Sequence, residues 1–174
     1  MKRSFRRWQL MGFAITSLLG TLLHFLYEWL NQAQWIAPFS GVNESTWEHM
    51  KLLFWPMFLF ALIESVFFKD ITVFWCIKLK GILFGLFLIP ILFYTYNGVI
   101  AKPPDWINVA IFFLTAFIVY VYETKHFVLK KTNYFSQKFS ITLLCLVALL
   151  FVFFTFKTPE IGIFRDPVTG IYGI

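Results

Sequence analysis

Charged residues are scarce in this chain. Asp, Glu, Lys and Arg make up only 14% of its 174 residues, against about 25% in an average soluble domain. Hydrophobic residues account for 59%, and Phe alone occurs 24 times. A water-soluble protein of this length has too little interior to bury that much apolar surface, so the composition favours a chain that lies in a lipid bilayer.

Catalytic signatures are also lacking. The sequence contains no glycine-rich phosphate loop and no nucleophile elbow, so phosphoryl transfer, hydride transfer and serine-based acyl transfer have no support. The two cysteines, Cys76 and Cys145, stand in or beside apolar runs without a spacing motif. They are therefore expected to be small hydrophobic core residues rather than a disulfide or a redox pair.

The net charge of +6 does not indicate a nucleic-acid partner, because the cations lie between hydrophobic runs and form no basic face. A membrane-spanning helix needs about 20 mostly apolar residues. Lipid-spanning backbone must also satisfy its own hydrogen bonds. The sequence therefore predicts an all-α integral membrane protein with a single domain over residues 1–174. Its five predicted helices cover 9–30, 46–68, 79–100, 105–123 and 139–157.

Most of the 15 Lys and Arg residues stand before the first segment, between the second and third, and between the fourth and fifth. Basic loops stay in the cytoplasm, so the N-terminus is predicted inside and the C-terminus, with the tail 158–174, outside. The first apolar run is too long for a signal peptide and is expected to remain as a helix. The bilayer is the expected partner, together with a second copy of the chain or another membrane subunit.

Several residues are expected to affect the shape, packing or ends of the predicted helices. Pro56 and Pro90 remove backbone donors near the middle of the second and third helices. Gly81 and Gly85 form a G-x-x-x-G pair that permits close helix packing. Asp105 is a candidate N-cap for the fourth helix.

Glu64 is an unusual acid within an apolar segment. A neighbouring cation, Lys69, Lys78 or Lys80, is expected to neutralise it, and a proton-relay role is the alternative.

The stretch GVNESTWEHMKLL carries a cluster of polar residues at the start of the second helix. Ser45 and Glu48 have capping-box spacing, and acidic side chains are favoured at the positive end of a helix dipole. This structural explanation does not cover His49 or Lys51, which enter the apolar run. Lys51 is expected either to extend outward to the interface or to pair with Glu48, three residues before it.

The end of the first helix, LLHFLYEWL, places His24 and Glu28 on one face. A connection of about 15 residues makes the first two helices neighbours. His24, Glu28, Glu48 and His49 are therefore predicted to converge in one outward-facing polar pocket. Such a set could bind a divalent metal such as Zn, Fe or Mn, serve proton transfer, or only form structural hydrogen bonds.

The tail changes character from apolar to turn-forming. Asp166-Pro167 fits the start of a type I turn that Gly170 ends. The tail is expected to fold back over the outer end of the bundle, with Arg165 near Glu44 or Glu48. The predicted pocket residues are His24, Glu28, Asn43, Glu44, Glu48, His49, Lys51, Arg165 and Asp166.

Two motifs, N-E-S-x-W-E-H within GVNESTWEH and D-P-x-x-G-x-Y-G after Ile163-Phe164-Arg165, resemble those of a family of small bacterial multi-pass membrane proteins known as a domain of unknown function. The likeness covers nearly the whole chain. It implies location in a bacterial cytoplasmic membrane and assigns no activity.

Three functions remain open from the sequence. The first is binding or translocation of a small ligand or ion in the outward-facing pocket. The second is a membrane-embedded metal-dependent enzyme acting on a lipid-linked substrate. The third is a structural or accessory membrane subunit whose polar cluster locks the first two helices together. The sequence does not decide whether the chain is an enzyme.

Overall fold

The computed structural model describes residues 2–100, 104, 106–129 and 135–174. Within them, the chain forms five α-helices and one short 3-10 turn. All five helices are long and apolar enough to cross a membrane, which confirms the predicted all-helical class. The helices are α1 Lys2–Trp29, α2 Thr46–Phe67, α3 Phe74–Val99, α4 Trp106–Leu129 and α5 Gln137–Phe156, and the 3-10 turn is Gly162–Phe164.

Three helices extend beyond the predicted segments. Helix α1 begins at Lys2 rather than residue 9, α3 begins at Phe74 rather than residue 79, and α4 continues to Leu129 rather than residue 123. Hydropathy identifies only the part of a helix that can lie in lipid. Lys and Arg are good helix formers, so the helical hydrogen bonding continues into the charged residues beyond that part. The predicted cap Asp105 lies outside the described residues.

Successive helices run antiparallel, with α2 in the centre of the bundle. Gln9 near the start of α1 contacts Glu64 near the end of α2, while His24 near the end of α1 lies beside His49 at the start of α2. The main core surrounds α2 and includes the buried side chains of Leu53, Phe54 and Met57. We call the end of the bundle where α1 and α5 finish the C-terminal end, and the opposite one the N-terminal end.

Close approaches between helices occur at glycines, as the G-x-x-x-G pair predicts. A Cβ atom on Gly81 would lie 2.7 Å from Oε1 of Glu123, and one on Gly85 would lie 2.9 Å from Cγ2 of Val119. Both contacts are with α4, and a Cβ atom on Gly85 would also lie 2.9 Å from Cδ2 of Leu53 in α2. The pair therefore lets α3 pack closely against both helices.

The prediction that both cysteines are core residues is confirmed for Cys76 and wrong for Cys145. Cys76 is buried, whereas Cys145 is exposed on the outer face of α5.

The connection between α1 and α2 folds back against α1 instead of extending away from it. The carbonyl of Leu23 accepts hydrogen bonds from the Gly41 N–H, at 3.1 Å, and from the Ser40 hydroxyl. The Ser40 hydroxyl in turn accepts from the Tyr27 N–H at 2.9 Å. These bonds fix residues 40–44 above the last turns of α1, where they form part of the site described below.

The tail also folds back onto this end of the bundle, as predicted. Phe164 is buried against the indole of Trp47, with ring centroids 4.6 Å apart, and the Asn43 amide donates to the Gly173 carbonyl at 3.0 Å. A turn is present at the predicted place, but the Gly170 N–H donates to the Asp166 carbonyl at 2.9 Å, so the bond spans five residues, one more than the four of the predicted type I turn.

Candidate functional site

Glu48 and Lys51 form a buried ion pair at the C-terminal end. Lys51 Nζ lies 2.5 Å from Glu48 Oε2. It also donates to the Ala37 carbonyl at 2.7 Å and to the Thr155 hydroxyl at 3.3 Å. One ammonium group therefore joins α2, the α1–α2 connection and α5.

The Glu48 carboxylate is occupied by internal partners. Its Oε2 accepts from the Val42 N–H at 3.0 Å, and the Ser45 hydroxyl accepts from the Glu48 N–H at 3.4 Å. The capping box predicted from the sequence is thus half formed, because the carboxylate reaches Val42 instead of Ser45. With both side chains satisfied, Glu48 and Lys51 hold the structure together rather than face a ligand.

His24, Glu44 and His49 form a second group that is open to the surface. Glu44 Oε1 lies 3.5 Å from His24 Nε2, and Glu44 Oε2 lies 3.6 Å from His49 Nε2. The two imidazole ring centroids are 5.8 Å apart. One carboxylate thus faces two imidazoles, each just beyond hydrogen-bond distance.

The hydrogen bonding of His49 defines which of its nitrogens faces Glu44. His49 Nδ1 lies 2.9 Å from the Ser45 carbonyl oxygen, and a carbonyl can only accept, so Nδ1 carries a proton. In neutral His49 the Nε2 atom is then an acceptor, and it faces the acceptor Glu44 Oε2. Two acceptors that face each other need a shared hydrogen-bond donor. That donor is either a second proton on the His49 ring or a donor group of a ligand that bonds to both atoms.

These three residues line a cavity of about 570 Å³, which we call the vestibule. Asn97 from the end of α3 and Asn108 from the start of α4 add amide groups to its wall, and neither was predicted from the sequence. A single Asn near a helix end is common, so no sequence signal distinguished them. The vestibule is lined by His24, Glu44, His49, Phe93, Asn97, Asn108, Val109, Pro167 and Val168.

An apolar recess of about 180 Å³ adjoins the vestibule. We call it the slot. It lies between α1 and α4, and its wall shares His24, His49, Asn108 and Val109 with the vestibule. The other slot residues are Gly20, Thr21, Phe25, Leu52, Phe112 and Phe113. Several are exposed on the side of the bundle, Val109 at 56% and Phe25 at 41%, so the slot opens sideways as well as into the vestibule.

The remaining predicted pocket residues take other positions. Glu28 is exposed, and within the described chain it forms no ion pair with either histidine. Asn43 binds the tail through Gly173. Arg165 is exposed and does not pair with Glu44 or Glu48, whose described ion pairs are with His24, His49 and Lys51.

Asp166 is buried, and its carboxylate is used by the tail itself. It accepts from the Val168 N–H at 2.8 Å and from the Thr169 hydroxyl at 2.7 Å. These bonds set the turn that brings Pro167 and Val168 to the vestibule wall.

The four ligands predicted for a metal, His24, Glu28, Glu48 and His49, are not gathered into one set. Glu28 is exposed and Glu48 is bonded to Lys51. Among the residues that the structure describes, no group of three or more His, Cys, Asp or Glu side chains is arranged to hold a metal ion.

A separate charged cluster lies towards the N-terminal end. Lys78 Nζ pairs with Glu64 Oε2 and with Glu123 Oε2 at 2.6 Å, while the Gln9 amide donates to Glu64 Oε1 at 2.7 Å. The sequence predicted a lysine partner for Glu64. It did not predict that Glu123, near the end of the fourth apolar segment, shares the same lysine.

The protein is all-helical, and its five helices are long and apolar enough to suggest a multi-pass membrane protein, with a histidine–carboxylate vestibule at one end of the bundle. The chain belongs to a family of unknown function, DUF6512, whose family model matches residues 1–174. Searches of curated proteins and of solved structures give no significant match.

Proposed function

We propose that this protein is a bacterial cytoplasmic-membrane protein that binds a small amphiphilic ligand, with a primary amine or similar donor head group in the vestibule and an alkyl chain in the slot. The observation that carries the proposal is the placement of opposed acceptors, Glu44 Oε2 and His49 Nε2, 3.6 Å apart beside an apolar recess.

The head group is specified by the vestibule wall. Glu44 supplies a negative charge to the vestibule, no Lys or Arg is among the described residues that line it, and the amides of Asn97 and Asn108 add neutral polar groups. An ammonium group can donate simultaneously to Glu44 and to an imidazole nitrogen, and hydrogen bonds to ionised groups are stronger than neutral ones. An anionic head group would meet the Glu44 carboxylate, and no lysine or arginine among the described lining residues would offset that repulsion.

The alkyl chain is specified by the slot. Its wall is apolar except near its junction with the vestibule, and burial of each CH₂ group contributes about 0.8 kcal/mol. The exposed flank between α1 and α4 would face lipid in a membrane, so a chain could enter sideways without crossing water.

The orientation that we propose follows from the basic residues. Lys and Arg concentrate near the N-terminal end of the bundle, so that end lies in the cytoplasm and the vestibule opens on the other side. Single cysteines at Glu160 and Lys138, both exposed, test this in a Cys145→Ser background. A membrane-impermeant maleimide applied to intact cells should label the variant at position 160 and spare the one at 138. The opposite pattern, or equal labelling of both, contradicts the orientation.

Photo-crosslinking tests the ligand class. The probe is a long-chain primary amine with a diazirine near the middle of its alkyl chain, at low mole fraction in phosphatidylcholine nanodiscs containing the protein. Crosslinks are expected in segments 20–25 and 108–113. Replacing Val109, at the mouth of the slot, with Trp should abolish them, while Leu149→Trp on the exposed face of α5 should have no effect.

The head-group contact is tested with Glu44→Gln and a matched alcohol probe. Because the Glu44 side chain is 44% exposed, solvent screening limits the expected loss in amine affinity to about two- to fivefold. The alcohol should lose little. Crosslinks spread evenly over the exposed faces of all helices, or unchanged in Val109→Trp, would show partitioning into bulk lipid and contradict the proposal.

A further inference from the structure

The charged cluster of Glu64, Lys78 and Glu123 has no part in ligand binding at the vestibule. The side chains of both glutamates are 0% exposed, and that of Lys78 is 2% exposed. The lysine ammonium lies over the rings of Phe74, Tyr120 and Phe127, between 5.6 and 5.8 Å from their centroids. Two carboxyl groups therefore share one ammonium in a site closed by aromatic rings.

The charges in this site do not balance if both carboxyl groups are ionised. The titratable groups that face it are Glu64 from α2, Lys78 from α3, and Tyr120 and Glu123 from α4, while α1 contributes the uncharged amide of Gln9. The nearby cations Arg6 and Lys125 line a groove open to the surface. One negative charge would remain uncompensated inside the bundle, which is strongly unfavourable.

Hydrogen bonding shows the same imbalance. Oε1 of Glu123, Oε2 of Glu64 and Oε1 of Gln9 are buried without a hydrogen-bond partner, so the site has more acceptors than donors. Glu64 is better satisfied than Glu123, because its Oε1 accepts from Gln9 and its Oε2, although it has no hydrogen bond, pairs with Lys78, whereas Oε1 of Glu123 has neither. A buried oxygen without a partner costs far less in a neutral carboxylic acid than in a carboxylate.

We propose that this cluster is a proton-binding site, in which Glu64 and Glu123 share one proton at neutral pH, held mainly by Glu123. The site then contains one carboxylic acid, one carboxylate and one ammonium, and is neutral overall. Release of the proton would restore the uncompensated charge, so it requires a movement of α2, α3 or α4 that admits water. Proton release is thereby tied to the packing of these three helices.

Infrared spectroscopy of the protein at neutral pH, in a detergent that contains no carbonyl group, tests this proposal directly. The wild type should show the C=O stretch of a protonated carboxylic acid. Glu64→Gln and Glu123→Gln each leave one carboxylate opposite one ammonium, so the band should be absent from both. Glu28→Gln, which changes an exposed carboxylate, should retain it.

Every other outcome contradicts the proposal. Absence of the band from the wild type shows that both carboxyl groups are ionised, and stability that then depends on sodium would point to a bound metal cation instead. A band that survives in either Gln variant does not come from a proton shared by the pair. Far-UV circular dichroism verifies folding, and if one Gln variant does not fold, the other decides. The measurement does not involve the vestibule, so its result is independent of the proposed ligand.

Discussion

Lys78→Met is expected to destabilise the protein by about 3–5 kcal/mol, the usual cost of removing one partner from a buried ion pair. The side chain is 2% exposed, and its ammonium is the cation that contacts both Glu64 and Glu123. Methionine has a similar length but no charge, so the remaining carboxylate would be buried without compensation. The apparent Tm should fall by roughly 6–20 °C.

Reaction of Cys76 with a thiol-reactive dye during heating measures this loss. Cys76 is buried and Cys145 is exposed, so a Cys145→Ser background makes the signal report on the interior. Lys138→Met, at an exposed position, is the control and should change stability by no more than about 0.5 kcal/mol. The triple variant Lys78→Met/Glu64→Gln/Glu123→Gln should recover most of the loss. If it is no more stable than Lys78→Met, the effect comes from packing and not from charge.

Lys51→Met should have an effect of similar size, about 3–5 kcal/mol, at the opposite end of the bundle. Its side chain is 0% exposed, and its ammonium bonds the Glu48 carboxylate, the Ala37 carbonyl and the Thr155 hydroxyl. Loss of these bonds leaves the carboxylate of Glu48 buried and releases the α1–α2 connection from α2.

Hydrogen exchange separates a local opening from global unfolding. The amides of residues 36–41 should exchange faster in Lys51→Met than those in the middle of α2. Adding Glu48→Gln to Lys51→Met should restore much of the stability, since it removes the unpaired charge. Lys157→Met, at an exposed position of the same end, serves as the matched control. Equal destabilisation by Lys157→Met and Lys51→Met would contradict the structural role assigned to the buried pair.

The helices and their class followed from local sequence features. An apolar run of about 20 residues can satisfy its backbone in lipid only as a helix, so five such runs predicted five helices without knowledge of their packing. The G-x-x-x-G pair predicted a close approach for an equally local reason, because absence of a side chain at Gly81 and Gly85 leaves room for a neighbour. The helix ends were predicted less well, since hydropathy and helix formation stop at different residues.

The polar clusters depended on which side chains meet in space. From the sequence, His24, Glu28, Glu48 and His49 were expected in one pocket. The structure instead brings His24 and His49 to Glu44. It pairs Glu48 with Lys51, which was one of the two placements predicted for that lysine from its spacing. The difference arises from the folded connection, which places Glu44 above His24 and brings the Val42 N–H to Glu48. Neither helical periodicity nor residue spacing predicts that the α1–α2 connection folds back onto the end of α1.

The sequence by itself determined the number of helices, their apolar character and the presence of ionisable groups at both ends of α2, because these depend on residue type and run length. Only the tertiary structure decided that Glu64 and Glu123 share one lysine and that Asn97 and Asn108 border the vestibule. Both arrangements join residues that are distant in the chain, and their partners are fixed by how helix faces rotate and pack. A side chain's burial and counter-charges are properties of that packing, so they could not be read from the residues alone.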